Sequence, residues 1–416
     1  MIQRRKTYQS IGLLMLLLFV LLWAACSHHG EDDREDTTCY LDIYVYSPSH
    51  PMLTRADVDY VNATDPEGII HTLQIWVFKH STGGLLGYLE AEPQNQDGGQ
   101  QYQVAVNPEI AEGTAEERRV DVYVLGNVSQ ANCGLSFNRL TTRDQLDAAI
   151  IGPDYFGVNR LTSEVPSGLP MSGVLKNEPV SGGFPVLRIG TESQMSTVKL
   201  VRAVSKLRFV LCRIHEDDKK SNQLKEIKSI KLNGNQIPQE EYLMLRSAFD
   251  GSLNPSYPLA DSRIHIVPNA YVENPISFTP PATANIPIVA DPLVYIYDNQ
   301  KYASMQAYED ALNAAIHPET PGVDPQLIEL GLTYLRESDK KLKGTISYRV
   351  ESDSETTPDR TTEFEMSRAG DFTRDHSWII YVFFSGGKLQ VFNVVQVGIK
   401  NWVLTGDPEE HAFYNW

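Results

Sequence analysis

Few residues in this sequence have both the type and the spacing for covalent chemistry, and two positions stand out. Cys26 follows two alanines at the end of an apolar run, residues 11–23. Arg55 precedes Ala56 in a polar segment that also contains proline. A cysteine thiol can be acylated, and the peptide bond after an exposed arginine can be cut by a protease of matching specificity. Both reactions would modify the chain instead of being catalysed by it.

Motifs for catalysis or cofactor binding are missing from the sequence. It has no zinc-binding HExxH, no EF-hand loop, no P-loop, no GxSxG nucleophile elbow and no dinucleotide-binding glycine pattern. His28 and His29 could bind a metal weakly, but their acidic surroundings are typical of a solvated spacer. Any pair of the many Asp and Glu residues could be named as an acid and a base. We therefore assign no catalytic residue, expect no enzyme, and predict neither a metal nor another cofactor.

The N-terminus has the layout of a secretion signal. Basic residues at positions 4–6 precede the apolar run, which is too short for a comfortable membrane span, and small residues before Cys26 prepare a cleavage site. We predict a signal peptide over residues 1–25. The small-small-Cys ending resembles a bacterial lipobox, with Trp23 in place of the preferred leucine. An acylated Cys26 would then begin the mature chain, and ordinary cleavage without lipid is the alternative.

Residues 26–38 are predicted to form an acidic tether. Their composition is typical of a disordered, solvated spacer. An acidic cluster shortly after a lipid-bearing cysteine also resembles the signal that sends lipoproteins of Bacteroidetes to the outer face of the outer membrane. Acyl chains contribute about 0.8 kcal/mol per buried methylene, so a multiply acylated Cys26 would be attached to the membrane almost permanently.

Composition limits the remaining possibilities. The chain has 416 residues, which exceeds a single usual domain, and its hydrophobic content of 42% is sufficient for packed cores. A formal net charge of −17 argues against a nucleic-acid partner, because phosphates would be repelled. Beyond Cys26 there are three cysteines, Cys39, Cys133 and Cys212, too few for a disulfide framework. One pair could bridge, but buried free thiols are the favoured interpretation.

Alternation of apolar and polar residues predicts a chain that is mostly β-structure. Residues 39–46 alternate strictly, with Leu41, Ile43 and Val45 on the apolar face of a half-buried strand. Similar patterns recur along the chain between turn residues, which is typical of a sandwich or barrel. The further predicted strands lie within residues 73–78, 102–106, 120–127, 207–211, 345–350, 377–384 and 389–404.

Two short helices are predicted among these strands. Thr142, with Gln145 three residues later, has the spacing of a capping box, and Leu146 would face a core. Residues 302–316 have apolar side chains near helical spacing and stop before Pro318. We place a domain boundary near residue 195, which gives an N-terminal domain of residues 39–195 and a C-terminal domain of residues 196–416.

Several segments, in this order, carry a resemblance to a known family: the lipobox, the first strand, "TRA", "IHTLQIWVF", "VDVYVLGN", "GLPMSG", "VKLVRAVSKLRF" and the ending "FTRDHSWIIYVFF" to "VQVGIKNW". Together they resemble the fimbrillin superfamily of Bacteroidales, the subunits of type V pili. The resemblance implies two transthyretin-like β-sandwich domains, export as a palmitate-bearing outer-membrane lipoprotein, and assembly into a fimbrium that supports adhesion. The implied partners are other pilus subunits, an arginine-specific protease, and a receptor on a host or bacterial surface.

The resemblance also implies a mechanism of assembly. A protease cuts in the loop after the first strand, that strand leaves, and a C-terminal segment of another subunit fills the vacated groove. On this sequence the processing loop would be residues 47–68, with the cut between Arg55 and Ala56. The displaced strand would be residues 39–46, and the donor segment would be residues 388–404, with Val391, Val395, Val397 and Ile399 on one face.

Alternatives remain for each of these assignments. Arg34, Arg118 and Arg119 are other basic sites for a protease, and residues 388–404 could simply form the last core strand. An uncut chain would act as an anchor or a chain terminator, and an adhesive tip subunit is a further alternative. From another class, a surface glycan-binding lipoprotein could stack sugars on Trp76, Trp378 or Trp402 if these side chains were exposed.

Overall fold

The computed structural model is mostly β-structure with a few short helices, as the alternating pattern predicts. The structure describes residues 38–46, 68–94, 99–153, 155, 168–191, 194–213, 220–246, 265–281, 305–318, 320, 322, 325–365, 374–375, 377–385 and 387–397. Cys26, Arg55, Ala56, Ile399 and Trp402 lie outside these residues.

The first part of the described chain forms one large sheet, which we call the N-terminal sheet, and a two-residue strand, β6, that lies outside it. Its strands are β1 (Cys39–Tyr46), β2 (Leu73–Lys79), β3 (Leu85–Ala91), β4 (Gly99–Val106), β5 (Arg119–Gly126), β6 (Ile150–Ile151), β7 (Met171–Ser181), β8 (Val186–Thr191), β9 (Gln194–Met195), β10 (Thr197–Lys199) and β11 (Val201–Arg202). All of these except β6 belong to the N-terminal sheet.

The N-terminal sheet closes on itself through β1. Its order runs β10-β1-β4-β3-β2-β5-β7-β8-β9, and β1 also pairs with β8. β4 is antiparallel to β1, whereas β8 and β10 are parallel to it. The first strand in the sequence is therefore a central strand with hydrogen-bonded neighbours on both of its edges.

Apolar side chains cover both faces of the middle of this sheet. The inner face encloses a core drawn from β1, β2, β4, β5, β7, β8 and β10. On the outer face, Trp76, Phe78 and Tyr123 pack against a second cluster that includes Cys133 and Leu146. These last two residues lie in short helices, α1 (Gln130–Cys133) and α2 (Arg143–Asp147). Two-sided burial explains why the pattern of β2 and β5 is more continuously apolar than that of β1.

The second part of the chain forms a sandwich of two four-stranded sheets, the C-terminal sandwich. Its strands are β12 (Ser205–Arg213), β13 (Leu224–Leu232), β15 (Ile276–Phe278), β16 (Ile328–Leu335), β17 (Lys343–Val350), β18 (Arg360–Glu365), β19 (Ser377–Ser385) and β20 (Lys388–Val397), with β14 (Glu241–Tyr242) outside it and a helix α3 (Met305–Ile316). The sheet orders are β16-β12-β19-β20 and β15-β13-β17-β18. One core contains side chains from both sheets, among them Phe209, Ile230, Ile346 and Ile380.

The helix predicted from the capping box is present but short. The Thr142 side chain accepts a hydrogen bond from the backbone N–H of Gln145, whose side chain accepts one from the Thr142 N–H. α2 ends after one turn, and Ile150 pairs with Tyr242 in the β6–β14 ladder. Leu146 is fully buried, as predicted.

The N-terminal sheet and the C-terminal sandwich meet along a seam that contains buried charge. Arg202 in β11 donates to Asp375 at 2.9 Å, and both side chains are buried. Arg336 donates to the backbone carbonyls of Gly152 and Tyr155. Arg374 donates to the carbonyls of Tyr242 and Leu243 at 2.7 and 3.1 Å, where β14 pairs with β6. Three arginines therefore satisfy carbonyl or carboxylate oxygens at the junction.

Candidate functional site

The first strand and the groove that holds it form the candidate functional site. β1 lies between β4 on one side and β8 and β10 on the other, and we call the space that it occupies the β1 slot. Its inward side chains are Cys39, Leu41, Ile43 and Val45, and none of them is more than 1% exposed. Strict alternation in the sequence therefore corresponds to an apolar floor under the whole strand.

Backbone pairing holds β1 along its full length. All eight residues pair with β4, from Cys39 opposite Val106 to Tyr46 opposite Gly99. On the other edge, residues 40–42 pair with β8 and residues 44–46 with β10. Removing β1 would therefore leave unpaired backbone groups on three neighbouring strands and would expose the core beneath them.

The floor of the β1 slot is made of aliphatic and aromatic side chains. Leu41 lies in register with Val104 on one side and Leu187 on the other, and Ile43 lies opposite Tyr102. Burial raises the pKa of the Tyr102 hydroxyl to about 12 and also raises the pKa of the Cys39 thiol. Both groups stay neutral near pH 7, so the floor carries no charge there.

The outer face of β1 is half-buried and aromatic apart from one acid. The rings of Tyr44 and Tyr46 lie 4.7 Å apart and pack over Gly99. A Cβ at position 99 would come within 2.7 Å of both rings, so glycine is required where they approach the start of β4. Asp42 is only 3% exposed and accepts a hydrogen bond from Gln103 at 3.0 Å. Arg188 contributes a more distant ion pair, at 3.8 Å.

The candidate donor residues that the structure describes lie in the last strand of the C-terminal sandwich. β20 pairs with β19, with Val391 opposite Val382, Val395 opposite Ile379 and Val397 opposite Ser377. Val391 packs against the sandwich core. A β-bulge falls between the positions of Val391 and Val395, because two residues of β19 oppose three of β20 there.

Other residues singled out in the sequence are buried or paired. Cys39, Cys133 and Cys212 are free and buried. Trp76 and Trp378 are at most 3% exposed, so neither offers a face to a sugar. The carbonyl of Arg118 accepts a hydrogen bond from Val180, and Arg119 begins β5.

Within the described ranges, no group of three or more His, Cys, Asp or Glu side chains is placed to hold a metal ion. The described helices include none that is both long and apolar enough to cross a membrane.

Sequence reasoning did not anticipate two groups of residues. Alternation put Asp42 on the outward face of the first strand, but its burial and its contacts with β4 and β8 were not anticipated. The only signal was an acid in the middle of a tyrosine-rich face. It also missed the charged groups of the seam, which are far apart in sequence: Arg202, Glu241, His265, Arg336, Glu337, Arg374 and Asp375.

Comparison with known proteins finds similar solved structures but no similar sequence. No family model matches the sequence, and no curated protein matches it. Solved structures with a similar fold include a candidate cell adhesion protein of Parabacteroides distasonis, with 13% identity, coverage of 87% of this chain and 98% of that chain, and a TM-score of 0.47.

Two further neighbours come from Porphyromonas gingivalis. The tip fimbrial protein Mfa3 has 12% identity, coverage of 86% and 99%, and a TM-score of 0.45. The fimbrilin FimA has 11% identity, coverage of 89% and 99%, and a TM-score of 0.41. These three solved structures are thus of one candidate cell adhesion protein and two fimbrial proteins.

Proposed function

We propose that the chain is a structural subunit of a cell-surface fimbrium of the type V class, exported as an outer-membrane lipoprotein through Cys26. Proteolysis after Arg55 releases β1, and a strand from another subunit replaces it. The two parts of the chain are then transthyretin-like sandwich domains. We place their division at residues 203–204, where the chain leaves the N-terminal sheet, a few residues after the position predicted from the sequence.

The observation that carries this proposal is the position of β1. A first strand at the free edge of a sheet could be lost with little consequence. Here the strand is central, pairs on both edges, and buries four side chains in the core. A chain that loses β1 must refill the β1 slot, and an extended segment from another molecule supplies both backbone hydrogen bonds and alternating apolar side chains.

The free energy gained when an incoming strand fills the β1 slot is large enough to hold the subunits of a fibre together. Burial of an aliphatic side chain contributes about 1.5 to 3 kcal/mol, so the inward residues of an incoming strand give a gross gain on the order of 10 kcal/mol with the backbone ladder. Ordering of the incoming segment reduces this value. A contact in which one subunit donates and the next accepts does not close, so it propagates as a filament.

The surroundings of the alternative arginines favour Arg55 as the processing site. Arg118 and Arg119 lie at the start of a paired central strand, where an extended protease substrate cannot form without unfolding the sheet. Arg55 follows β1 in the sequence and precedes β2. Only a cut between these two strands separates β1 from the rest of the N-terminal sheet, and that requirement excludes Arg34 as well.

A second candidate function is a subunit that does not donate residues 388–397, either a tip subunit that accepts a strand or an uncut anchor that keeps β1 in its slot. The observation in its favour is that β20 completes the home sheet through pairing with β19. The glycan-binding alternative loses support, because Trp76 and Trp378 are buried within the two cores.

The test is limited trypsin digestion of the lipid-free protein that begins at Ser27, followed by N-terminal sequencing and electron microscopy. We expect predominant cleavage between Arg55 and Ala56 and a stable remainder that forms filaments. The matched control is Arg55→Gln, which should leave the chain uncut at this site and monomeric. An uncut Arg55 in a folded chain, or a cut product that never assembles, would overturn the proposed role as a polymerising fimbrial subunit.

A further inference from the structure

Asp42 is the one acidic side chain on β1, and the β1 slot holds it from both sides. Gln103 of β4 lies directly opposite and donates from Nε2 to Asp42 Oδ1 at 3.0 Å. Arg188 of β8 lies in register on the other edge, with Nε 3.8 Å from Asp42 Oδ2. Asp42 is 3% exposed, whereas the Arg188 side chain is 65% exposed. The buried carboxylate therefore meets one neutral donor and one cation, both on exposed side chains, at a single position along the slot.

The apolar floor does not by itself fix the register of an incoming strand, and these contacts can. Alternating aliphatic residues distinguish a strand from one that has slipped by a single residue, because that slip turns the apolar face outward. They do not distinguish a slip of two residues, since the same faces then point the same way. A polar side chain that finds its partners at only one position does make this distinction.

The neighbouring outward positions of the slot lack this combination. At the position of Tyr40 the cross-strand neighbours are Ala105 and Val186. At the position of Tyr44 they are Gln101 and Thr197. A carboxylate displaced by two residues in either direction would therefore lose Arg188 and meet no other cation in register.

We propose that the slot selects and aligns its replacement strand through one carboxylate at the Asp42 position, recognised by Gln103 and Arg188. This inference rests on the proposed strand exchange. The occupant is an extended segment of another subunit, apolar at the positions of residues 39, 41, 43 and 45, with Asp or Glu at the position of residue 42.

Under this rule a second copy of this chain is the weaker donor, and a different subunit with an acid at the Asp42 position is the stronger one. Residues 388–404, the candidate donor segment, contain no Asp or Glu. In the best apolar match, Val395, Val397 and Ile399 replace Leu41, Ile43 and Val45, and the uncharged Gln396 falls at the Asp42 position. Self-assembly would leave Arg188 without its carboxylate, whereas a donor with an acid there would keep the native contacts.

The experiment uses the full chain from Ser27 with a recognition sequence for a highly specific protease inserted between residues 47 and 67, so that cleavage does not depend on Arg55. The nicked protein is mixed with labelled peptides, and binding is followed by fluorescence anisotropy. One peptide has the sequence of residues 39–46. In a second, Asp42 is replaced by Asn; in a third, Asp42 and Tyr44 are exchanged; a fourth contains residues 388–404.

We expect the first peptide to bind about tenfold more tightly than the second and third, which lose a hydrogen bond between a charged and a neutral group. The third peptide is the matched control, because it has the same composition with the acid two residues away. The peptide of residues 388–404 should also bind more weakly than the first. A charge-reversed pair tests recognition directly: Arg188→Glu should weaken the first peptide and favour one with Asp42→Lys.

The outcomes separate the inference from the function on which it rests. If the first three peptides bind tightly, with dissociation constants within about twofold of one another, the carboxylate rule is overturned and strand exchange is left intact. Failure of every peptide would overturn strand exchange and the rule with it. In the uncut chain, the variants Asp42→Lys, Arg188→Glu and their combination provide a second measurement, since recovery of stability in the double variant is expected only if the two side chains interact.

Discussion

Aliphatic side chains hold β1 in its slot, and their contribution is burial. Leu41 is completely buried between Val104 and Leu187, and removing its terminal isopropyl group would leave a cavity that neighbouring strands cannot close. We expect Leu41→Ala to lower the free energy of unfolding of the uncut chain by about 2 to 5 kcal/mol, measured in urea.

The same substitution at Leu140 is a matched control for this prediction. Leu140 is 86% exposed, so Leu140→Ala should change the free energy of unfolding by about 0.5 kcal/mol or less. Equal effects at the two positions would mean that β1 is not packed as described.

Buried charge at the seam gives a second prediction, which concerns pH. Burial raises the pKa of Glu241 to about 8, with nearby Glu337 acting in the same direction and Arg374 opposing the shift. The folded state therefore prefers the protonated acid. Its contribution to stability is complete below about pH 4.5, the ordinary pKa of this carboxyl, and is lost as pH rises through 8.

We expect Glu241→Gln, which stays neutral at every pH, to gain stability relative to the original chain by at least about 1 kcal/mol between pH 5 and 8. Urea unfolding of both proteins across this range measures the difference. Glu365→Gln is the control, since that carboxylate is 40% exposed and lies outside the seam. Parallel stability curves for Glu241→Gln and the original chain would contradict the sign of the pKa shift.

The sequence could not have revealed this cluster. Glu241 lies on β14, Glu337 follows β16, and Arg374 precedes β19, so their contact depends on the assembled fold. The inward residues of β1 were predictable because alternation over eight residues is a local signal. For Asp42, the sequence predicts its position on β1 but not its partners on two other strands.

At the scale of elements, the approach of β3 to β4 depends on a single glycine. A Cβ at Gly87 would lie 2.6 Å from the carbonyl oxygen of Ala105, a backbone atom that cannot rotate away. The two strands pair only where Gly87 meets Val106. We expect Gly87→Ala to destabilise the uncut chain by about 1 to 3 kcal/mol in urea unfolding, because β4 must shift beneath β1.

Gly183 offers the control for Gly87, because an added Cβ there meets nothing within 4 Å. Gly183→Ala should be neutral or slightly stabilising, through a smaller loss of backbone freedom on folding. If Gly87→Ala were equally harmless, the close crossing of β3 and β4 would not be what positions the floor of the β1 slot.

Strands with regular alternation were predictable, whereas β13, in which bulges interrupt the alternation, was not. β13 buries Leu224, Ile227 and Ile230, a spacing of three that does not indicate a strand. Two bulges in its pairing with β17 explain that spacing, since each adds one residue between inward positions. β3 was missed for a different reason, because most of its side chains are partly exposed and its pattern is weakly apolar.

At the scale of the whole molecule, the seam couples the N-terminal sheet to the C-terminal sandwich. Arg374 binds two carbonyls of the β14 region and lies 3.5 Å from Glu241 and 3.9 Å from Glu337. We expect Arg374→Ala to lower the free energy of unfolding by about 3 to 5 kcal/mol, because the carbonyls of Tyr242 and Leu243 lose their donor and Glu337 stays buried without this cation. Urea unfolding should also divide into two transitions as the coupling weakens.

Arg119 is the control for this substitution. Its ion pair with Glu116 is at the surface, where the acid is 81% exposed, so Arg119→Ala should lower stability by about 1 kcal/mol or less. A single transition and a small loss in Arg374→Ala would show that the two parts are held together by other contacts.

The pairing of β1 on both edges has a mechanical consequence. Hydrogen bonds in a ladder run across the strands, so a pull along the axis of β1 loads all of them together, whereas a pull across the sheet would open them one after another. Eight residues share that load against β4, and six of them also against β8 or β10. If the chain is held by its N-terminus, the ladder therefore passes tension from the first strand into the rest of the N-terminal sheet.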